Sequence, residues 1–252
     1  IRDKEYADGA VVLGKLFFGA FGGPHFLEAL NLAETLLNKM DRQSDPVTWA
    51  VLATKLSKGA FGYHSRHRAI TWSGPAAEAS PSGTTTHLAA MAQHVLCLVD
   101  MGHRDEASQI LERLVVEWGE GPQDMSVVSA LLDLATCLHE VGDFEELRRT
   151  AKAILGIARD AGNPDAEARA WIHLSYASYD LGEFTRADEE IGNLNRLLEL
   201  RHPHDRIVVG GAVAPLVALQ LGRSAEAKAA LMECENVARR THNSALEFYV
   251  EL

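Results

Sequence analysis

Along most of the chain, apolar residues recur three and four positions apart, the period of an amphipathic helix rather than the strict alternation of a strand. The runs come in pairs. "SALLDLATCLHEV" precedes Gly142 and "FEELRRTAKAILGIA" follows it soon after; "AWIHLSYASYD" and "FTRADEEIGNLNRLL" flank Gly182 in the same way. Glycine itself keeps a fixed step, at Gly22, Gly62, Gly102, Gly142, Gly182 and Gly222, each 40 residues after the last. With 20 glycines in 252 residues, such a register arises by chance on the order of once in a hundred thousand sequences. A glycine between two helical runs accommodates the positive φ that ends one helix and lets the next begin. The pattern therefore predicts a repeated two-helix hairpin.

The flanks of the last four glycines agree with one another. Five residues on stand Ala107, Leu147, Ala187 and Ala227; nine on stand Leu111, Ala151, Ile191 and Leu231; eight before stand His94, Leu134, Leu174 and Ala214. A small residue at plus five lets paired helices approach closely, and Phe144 or Phe184, two after the glycine, closes the corner. The copies around Gly22 and Gly62 are degenerate, so residues 1–72 read as weaker repeats and 87–241 as clear ones. "AGNPDAEARAW" (Ala161 to Trp171) supplies a Gly162 stop, an Asn163 cap, Pro164 in the first turn, and Asp165 and Glu167 near the positive helix end. "GEGPQD" (Gly119 to Asp124) and "RHPHD" (Arg201 to Asp205) mark equivalent joints. "SGPAAEASPSGTTT" (Ser73 to Thr86) is rich in breakers and is expected to be a flexible loop inside a single repeat domain spanning 1–252. "HNSALEFYVEL" (His242 to Leu252) reads as the start of a further helix, truncated. A lone hairpin cannot bury both its faces, so such units are expected to stack.

The segment "AWIHLSYASYDLGEFTRADEEIGNL" (Ala170 to Leu194) resembles a tetratricopeptide (TPR) repeat, with Trp171, Leu174, Gly182, Phe184 and Ala187 at that family's spacing. Ser175 and Ser178 stand where the family has glycine and tyrosine, and the period is 40 instead of 34. The resemblance implies an all-α, right-handed α-α superhelix, a TPR-like solenoid of about six helical hairpins. Repeats of this length are similar to those in the sensor regions of maltose-regulator-like bacterial ATPases with a LuxR-type DNA-binding end, and in peptide-pheromone receptors. It also implies a concave face built from positions ten, six and three before each glycine. Those are Ala92, Leu96 and Val99; Leu132, Thr136 and His139; Ile172, Tyr176 and Tyr179; and Ala212, Leu216 and Leu219. None is the Lys or Asn with which chaperone-binding members hold a terminal carboxylate. An apolar groove with two tyrosines and a histidine suits a protein, a peptide or a small effector; packing among neighbouring helices explains the same residues equally well.

Composition narrows the reading. Hydrophobic residues make up 47% and aromatics only 7%, with Ala, Leu and Val dominating, which favours helix over sheet. A net charge of −11 repels phosphate backbones, so direct nucleic-acid binding is not expected. "ELRR" (ending at Arg149) and "ARR" (ending at Arg240) read as solvated faces or as complements to helix dipoles. No run of about 18 apolar residues suggests a membrane span. Cys97, Cys137 and Cys234 form no metal or disulfide pattern; Cys97 and Cys137 are expected as small packing residues. With a first residue other than Met and no leader, the chain reads as a cytoplasmic piece of something longer.

Chemistry is sparse. No phosphate loop, GxGxxG, HExxH, GxSxG or EF-hand loop occurs. His64 with His67, and His87 with His94, lie at helical spacing, but no cysteine lies near either pair in sequence, so no metal or cofactor is expected. Trp49 and Trp171 are expected in the core; Trp72 and Trp118 are placed beside loops. The chain is expected to be no enzyme but a ligand- or protein-binding module, the sensor or interaction region of a bacterial transcriptional regulator. The alternatives are a self-association scaffold, forming a homodimer, and an enzyme with its site in an all-α cavity.

Overall fold

The computed structural model describes residues 26–62, 65–118, 124–199 and 213–241. Among them are eleven helices and no strand. They are α1 (Phe26–Leu37), α2 (Pro46–Gly62), α3 (Arg66–Ala79), α4 (Thr85–Asp100), α5 (Arg104–Trp118), α6 (Val128–Val141), α7 (Phe144–Asp160), α8 (Pro164–Asp180), α9 (Phe184–Glu199), α10 (Val213–Gln220) and α11 (Ser224–Thr241). The chain divides into two compact units, 1–122 and 123–252, with α1–α5 in the first and α6–α11 in the second. In each unit consecutive helices pack as neighbours, and alternate helices also touch: α2 with α4, α6 with α8, and α8 with α10. Each hairpin thus stacks on the next within its unit.

The hairpin corners follow from the glycine register. Gly102, Gly142, Gly182 and Gly222 have φ between 73° and 89°. At Gly142 the N–H donates to the His139 carbonyl at 3.1 Å, and the next N–H, of Asp143, donates to the Leu138 carbonyl at 3.0 Å. Gly182 and Glu183 repeat the arrangement on Tyr179 and Ser178, at 2.9 and 2.8 Å. This paired bonding satisfies carbonyls that the helix end would leave open. The residue after the glycine then opens the second helix: the carbonyls of Asp143 and Glu183 accept from the N–H groups of Leu147 and Ala187. The plus-five side chains sit in the joint, Ala107, Leu147 and Ala187 fully buried. Leu147 alone gains roughly 1.5–3 kcal/mol by that burial.

The joint between α7 and α8 forms as the sequence predicts. Gly162 has φ 61°, and the Asn163 side chain accepts from the N–H groups of Asp165 and Ala166 at 3.1 and 3.0 Å. Such a cap contributes about 1 kcal/mol. Residues 119–123 of the joint expected at Gly119–Asp124, the joint at Arg201–Asp205 and the corner at Gly22 lie outside the described residues.

Unit 1 departs from expectation in two places. Gly62 is the last residue of α2 and has no left-handed φ; the chain turns after it, and the Ser65 N–H donates to the Ala60 carbonyl at 2.8 Å. The stretch Ser73–Thr86 is not a flexible loop. Helix α3 continues through Gly74 and Pro75 to Ala79, and α4 begins at Thr85, capped by Thr84, whose hydroxyl accepts from the His87 N–H. Burial of Trp72, Ser73, Ala76 and Ala77 along this turn outweighs the backbone bond lost at Pro75.

The core of unit 1 gathers Leu30, Leu37, Trp49, Leu52, Leu56 and Trp72. Trp49 and Trp72 face each other at 6.2 Å, and the Trp72 indole donates to Glu34 at 2.9 Å, so Trp72 is a core residue and not one beside a loop. Cys97 and Cys137 are buried and joined in no disulfide. In unit 2, Ala187, Ile191, Val213 and Val217 form one cluster and Ala168, Leu194 and Leu198 another. Trp171 packs on the second and carries the Arg159 guanidinium 5.2 Å above its ring.

Candidate functional site

The residues expected to line a concave face fall on both units. In unit 1, Val99 is buried and Leu96 half-buried on α4, while Ala92 has no exposure. In unit 2, Leu132 is buried, and Thr136 is half-buried with its hydroxyl donating to the Leu132 carbonyl. Ile172 packs against the Leu194 and Leu198 cluster. Leu216 and Leu219 on α10 are exposed, at 41% and 54%. Ala212 lies outside the described residues.

The structure brings three of these residues, together with Asp180, into one side-chain cluster. His139, three before its glycine on α6, stands 5.0 Å from the Tyr176 ring on α8. Its Nε2 lies 3.1 Å from Asp180 Oδ2, one residue past Tyr179. The His139 ring also faces Phe144 at 6.1 Å, and Tyr179 faces Phe184 at 5.7 Å. Each phenylalanine, two after its glycine, thus closes its hairpin against the ring three before it. Tyr176 and Tyr179 rest by one side on Val213, Val217, Ala187 and Ile191, and stay half-open to solvent by the other. Tilted ring pairs of this kind contribute about 0.5–1.5 kcal/mol each beyond their buried area. The result is a stiff strip of rings with one carboxylate beside it.

His173, one turn before Tyr176 on α8, was not singled out by sequence. Burial pushes its pKa down to about 4, with His139 and Arg169 adding to the effect, so it is neutral at physiological pH. Asp180 was also missed, although a signal existed. Two residues before Gly102, Gly142 and Gly182 stand Asp100, Glu140 and Asp180, an acidic column with the same 40-residue step that ends at Gln220.

Two other histidines singled out by sequence are engaged in unit 1. His87 Nδ1 lies 3.1 Å from Ser80 Oγ, and His94 Nδ1 lies 3.0 Å from Ser73 Oγ. His64 lies outside the described residues. Among the described residues no three His, Cys, Asp or Glu side chains converge as a metal site would require. A shallow surface cleft in unit 1 is lined by Gly83, Thr84, His87, Leu88, Leu114, Glu117 and Trp118. Glu117 closes it by accepting the Gly83 N–H at 2.8 Å.

Solved structures share this arrangement of helices. A Rap protein complexed with Competence and Sporulation Factor superposes with a TM-score of 0.63 at 13% identity, over 94% of this chain and 70% of that one. A kinesin light chain protein of Podosopora anserina with nearly identical TPR-like repeats gives 0.59 at 14% identity, over 77% and 97%. The fold is a TPR-like α-α solenoid. BtubC (BKLC) from P. vanneervenii is a further TPR-like neighbour, with a TM-score of 0.58 at 13% identity over 92% of both chains. No family model matches the chain, and no curated protein matches it by sequence. Among the described residues of the TPR-like repeats, no helix is long and apolar enough to cross a membrane.

Proposed function

We propose that this chain is a non-enzymatic protein- or peptide-binding TPR-like module, working in the cytoplasm as the sensing or interaction region of a larger bacterial transcriptional regulator. The observation that carries the reading is the strip formed by His139, Tyr176 and Tyr179, held rigid by Phe144 and Phe184 and half-open to solvent. Rings fixed in place cost little entropy to dock against and offer both apolar faces and polar tips. The likeness to a Rap protein complexed with Competence and Sporulation Factor supports a peptide or protein as the occupant. Occupancy would bias hairpin stacking within unit 2, and adjoining domains would read that bias.

Panning a random peptide library against the full chain tests this. Enriched peptides should lose about tenfold or more in affinity for a Tyr176→Ala/Tyr179→Ala variant, with helicity unchanged by circular dichroism. Undiminished binding to the double variant would overturn the placement.

A second reading is a self-association scaffold. Leu216, Leu219, Leu231 and Met232 are all exposed on α10 and α11, and an apolar face of this kind suits a second copy. A mass that rises with concentration in sedimentation, and falls on Leu219→Gln, would favour it.

A further inference from the structure

Unit 2 sorts its cations by helix, while both sets of helices carry carboxylates. The first helices of its hairpins, α6, α8 and α10, carry five carboxylates (Asp133, Glu140, Asp165, Glu167, Asp180) and a single cation, Arg169. The second helices, α7, α9 and α11, carry the other nine Lys and Arg of the six helices. Several of those cations are already engaged, Arg148 on Glu183, Arg186 on Glu190 and Arg159 on Glu167. Of these only Arg159 reaches a first-helix carboxylate, at the N-terminal end of α8, thirteen residues before Asp180. Arg169 lies eleven residues before Asp180, about 16 Å along the helix axis.

Two of the carboxylates sit where the ring strip is. Glu140 and Asp180 each follow a strip residue, His139 and Tyr179, and occupy the same repeat position on the neighbouring helices α6 and α8. Neighbouring helix axes lie about 8–10 Å apart, so the two backbone positions that carry these carboxylates are about that far apart. Glu140 is exposed and has no ion-pair partner among the described residues. Asp180 has an imidazole as its partner and no Lys or Arg. His173, on the same helix as Asp180, is neutral and cancels neither charge.

We infer that the strip takes a basic, apolar-anchored peptide segment of a partner protein, its two cationic side chains about 10 Å apart on Glu140 and Asp180 and its apolar side chains on Tyr176, Tyr179 and Leu219. This rests on the peptide-binding reading above and names the chemistry of its occupant. A left-handed extended segment with a basic residue at every third position meets the spacing, since three residues rise about 9.3 Å and return to the same face.

The probe is a fluorescein-labelled peptide of three Arg-Leu-Pro triplets, titrated into the full chain by fluorescence anisotropy. Comparison peptides replace Arg with Gln or with Glu, or gather the three arginines at one end. The triplet peptide should bind roughly tenfold tighter than its Gln counterpart at low salt and lose that margin at high salt. Glu140→Gln/Asp180→Asn should reduce it to the Gln level while helicity stays unchanged, because the introduced amide oxygen still offers His139 an acceptor. Equal affinity for the triplet and clustered peptides, or an unchanged affinity in that double variant, would overturn the basic partner. So would absence of binding to millimolar concentration. If Tyr176→Ala/Tyr179→Ala weakens all three spaced peptides alike while the charge variants change nothing, the groove stands and its basic occupant falls. If the tyrosine variant changes nothing for any peptide that binds, the groove itself falls.

Discussion

The two units are built from the same hairpin but fill it differently. In unit 2 the joints between hairpins centre on apolar and aromatic residues, Leu147, Ala187 and Ile191 inside and His139, Tyr176 and Tyr179 at the edge, with the Arg148–Glu183 pair across one of them. In unit 1 the equivalent space holds hydrogen-bonded polar groups. Ser57 donates to the Ala69 carbonyl at 2.8 Å and lies 3.7 Å from the Cys97 thiol, Gln93 donates to the same sulfur at 3.4 Å, and Ser73 meets His94. The first-helix charges differ too. Helix α2 carries Lys55 and Lys58 and no carboxylate, and Asp100 on α4 is held by Arg66, whereas α6 and α8 are acidic. Polar interiors tie side chains to particular partners, because a buried group left unpaired costs more than a paired one gains. Unit 1 is thus specified by bonds among its own helices, and unit 2 leaves rings and carboxylates at its edge.

The half-buried histidines give the largest expected contrast. Each unit has one whose pKa is lowered, mainly by burial: His94, where Glu106 and Glu78 oppose the shift, and His173, where His139 and Arg169 add to it. A histidine held neutral in the fold stabilises fully above its unfolded value near 6.5. That stability drains as pH falls toward about 4, because the unfolded chain then binds the proton that the fold excludes. For His173 the loss is on the order of 2 kcal/mol. Thermal unfolding followed from about pH 7 to about pH 4 should show the steeper fall in unit 2, and His173→Gln should flatten it. An equal slope in both proteins would refute the account.

The corners supply the next contrast. Gly182→Ala places a side chain at φ 76° with nothing within 4 Å of the new carbon, so the cost is purely conformational, about 1–2 kcal/mol. Gly62→Ala, at the helical end of α2, should be neutral or stabilise by up to about 1 kcal/mol. Denaturant midpoints of the two variants should move in opposite directions.

The smallest effect is expected from exchanging a charge pair. Arg148 forks onto Glu183 at 3.1 and 2.8 Å, and Arg223 forks onto Asp188 at 3.1 and 2.9 Å. Asp188→Arg combined with Arg223→Asp keeps an exposed pair and should change stability by less than about 0.5 kcal/mol. Either substitution alone should cost more than both together.

The corners at Gly102, Gly142, Gly182 and Gly222 were legible because a left-handed residue after an apolar run has few chemical solutions, and the sequence repeats one of them at a fixed step. Gly62 shared the step but not the geometry, since nothing in its own identity distinguishes a helical glycine from a left-handed one. The breakers around Ser73 misled for a related reason: Gly74 and Pro75 weaken a helix locally, but Trp72, Ala76 and Ala77 bury against helices distant in sequence. Arg148 and Arg149 looked alike as a solvated pair, yet the Arg148 side chain is 9% exposed and that of Arg149 75%. One residue of helical rotation, about 100°, decides that, and only the docked neighbour carrying Glu183 gives it meaning. Of the ring strip, the positions of His139, Tyr176 and Tyr179 were readable from the repeat; the link through Asp180 and the neutrality of His173 depend on distances between helices.

The two forked pairs stand at identical repeat positions with their polarity reversed: Arg148 faces Glu183, and forty residues on Asp188 faces Arg223. A hairpin that docked on the wrong neighbour, in a misfolded monomer or an exchanged pair of chains, would set arginine against arginine or carboxylate against carboxylate. Near-identical modules are otherwise interchangeable to the hydrophobic effect, which does not distinguish one leucine joint from the next. The reversed signs therefore penalise such a mismatch at these two joints of unit 2.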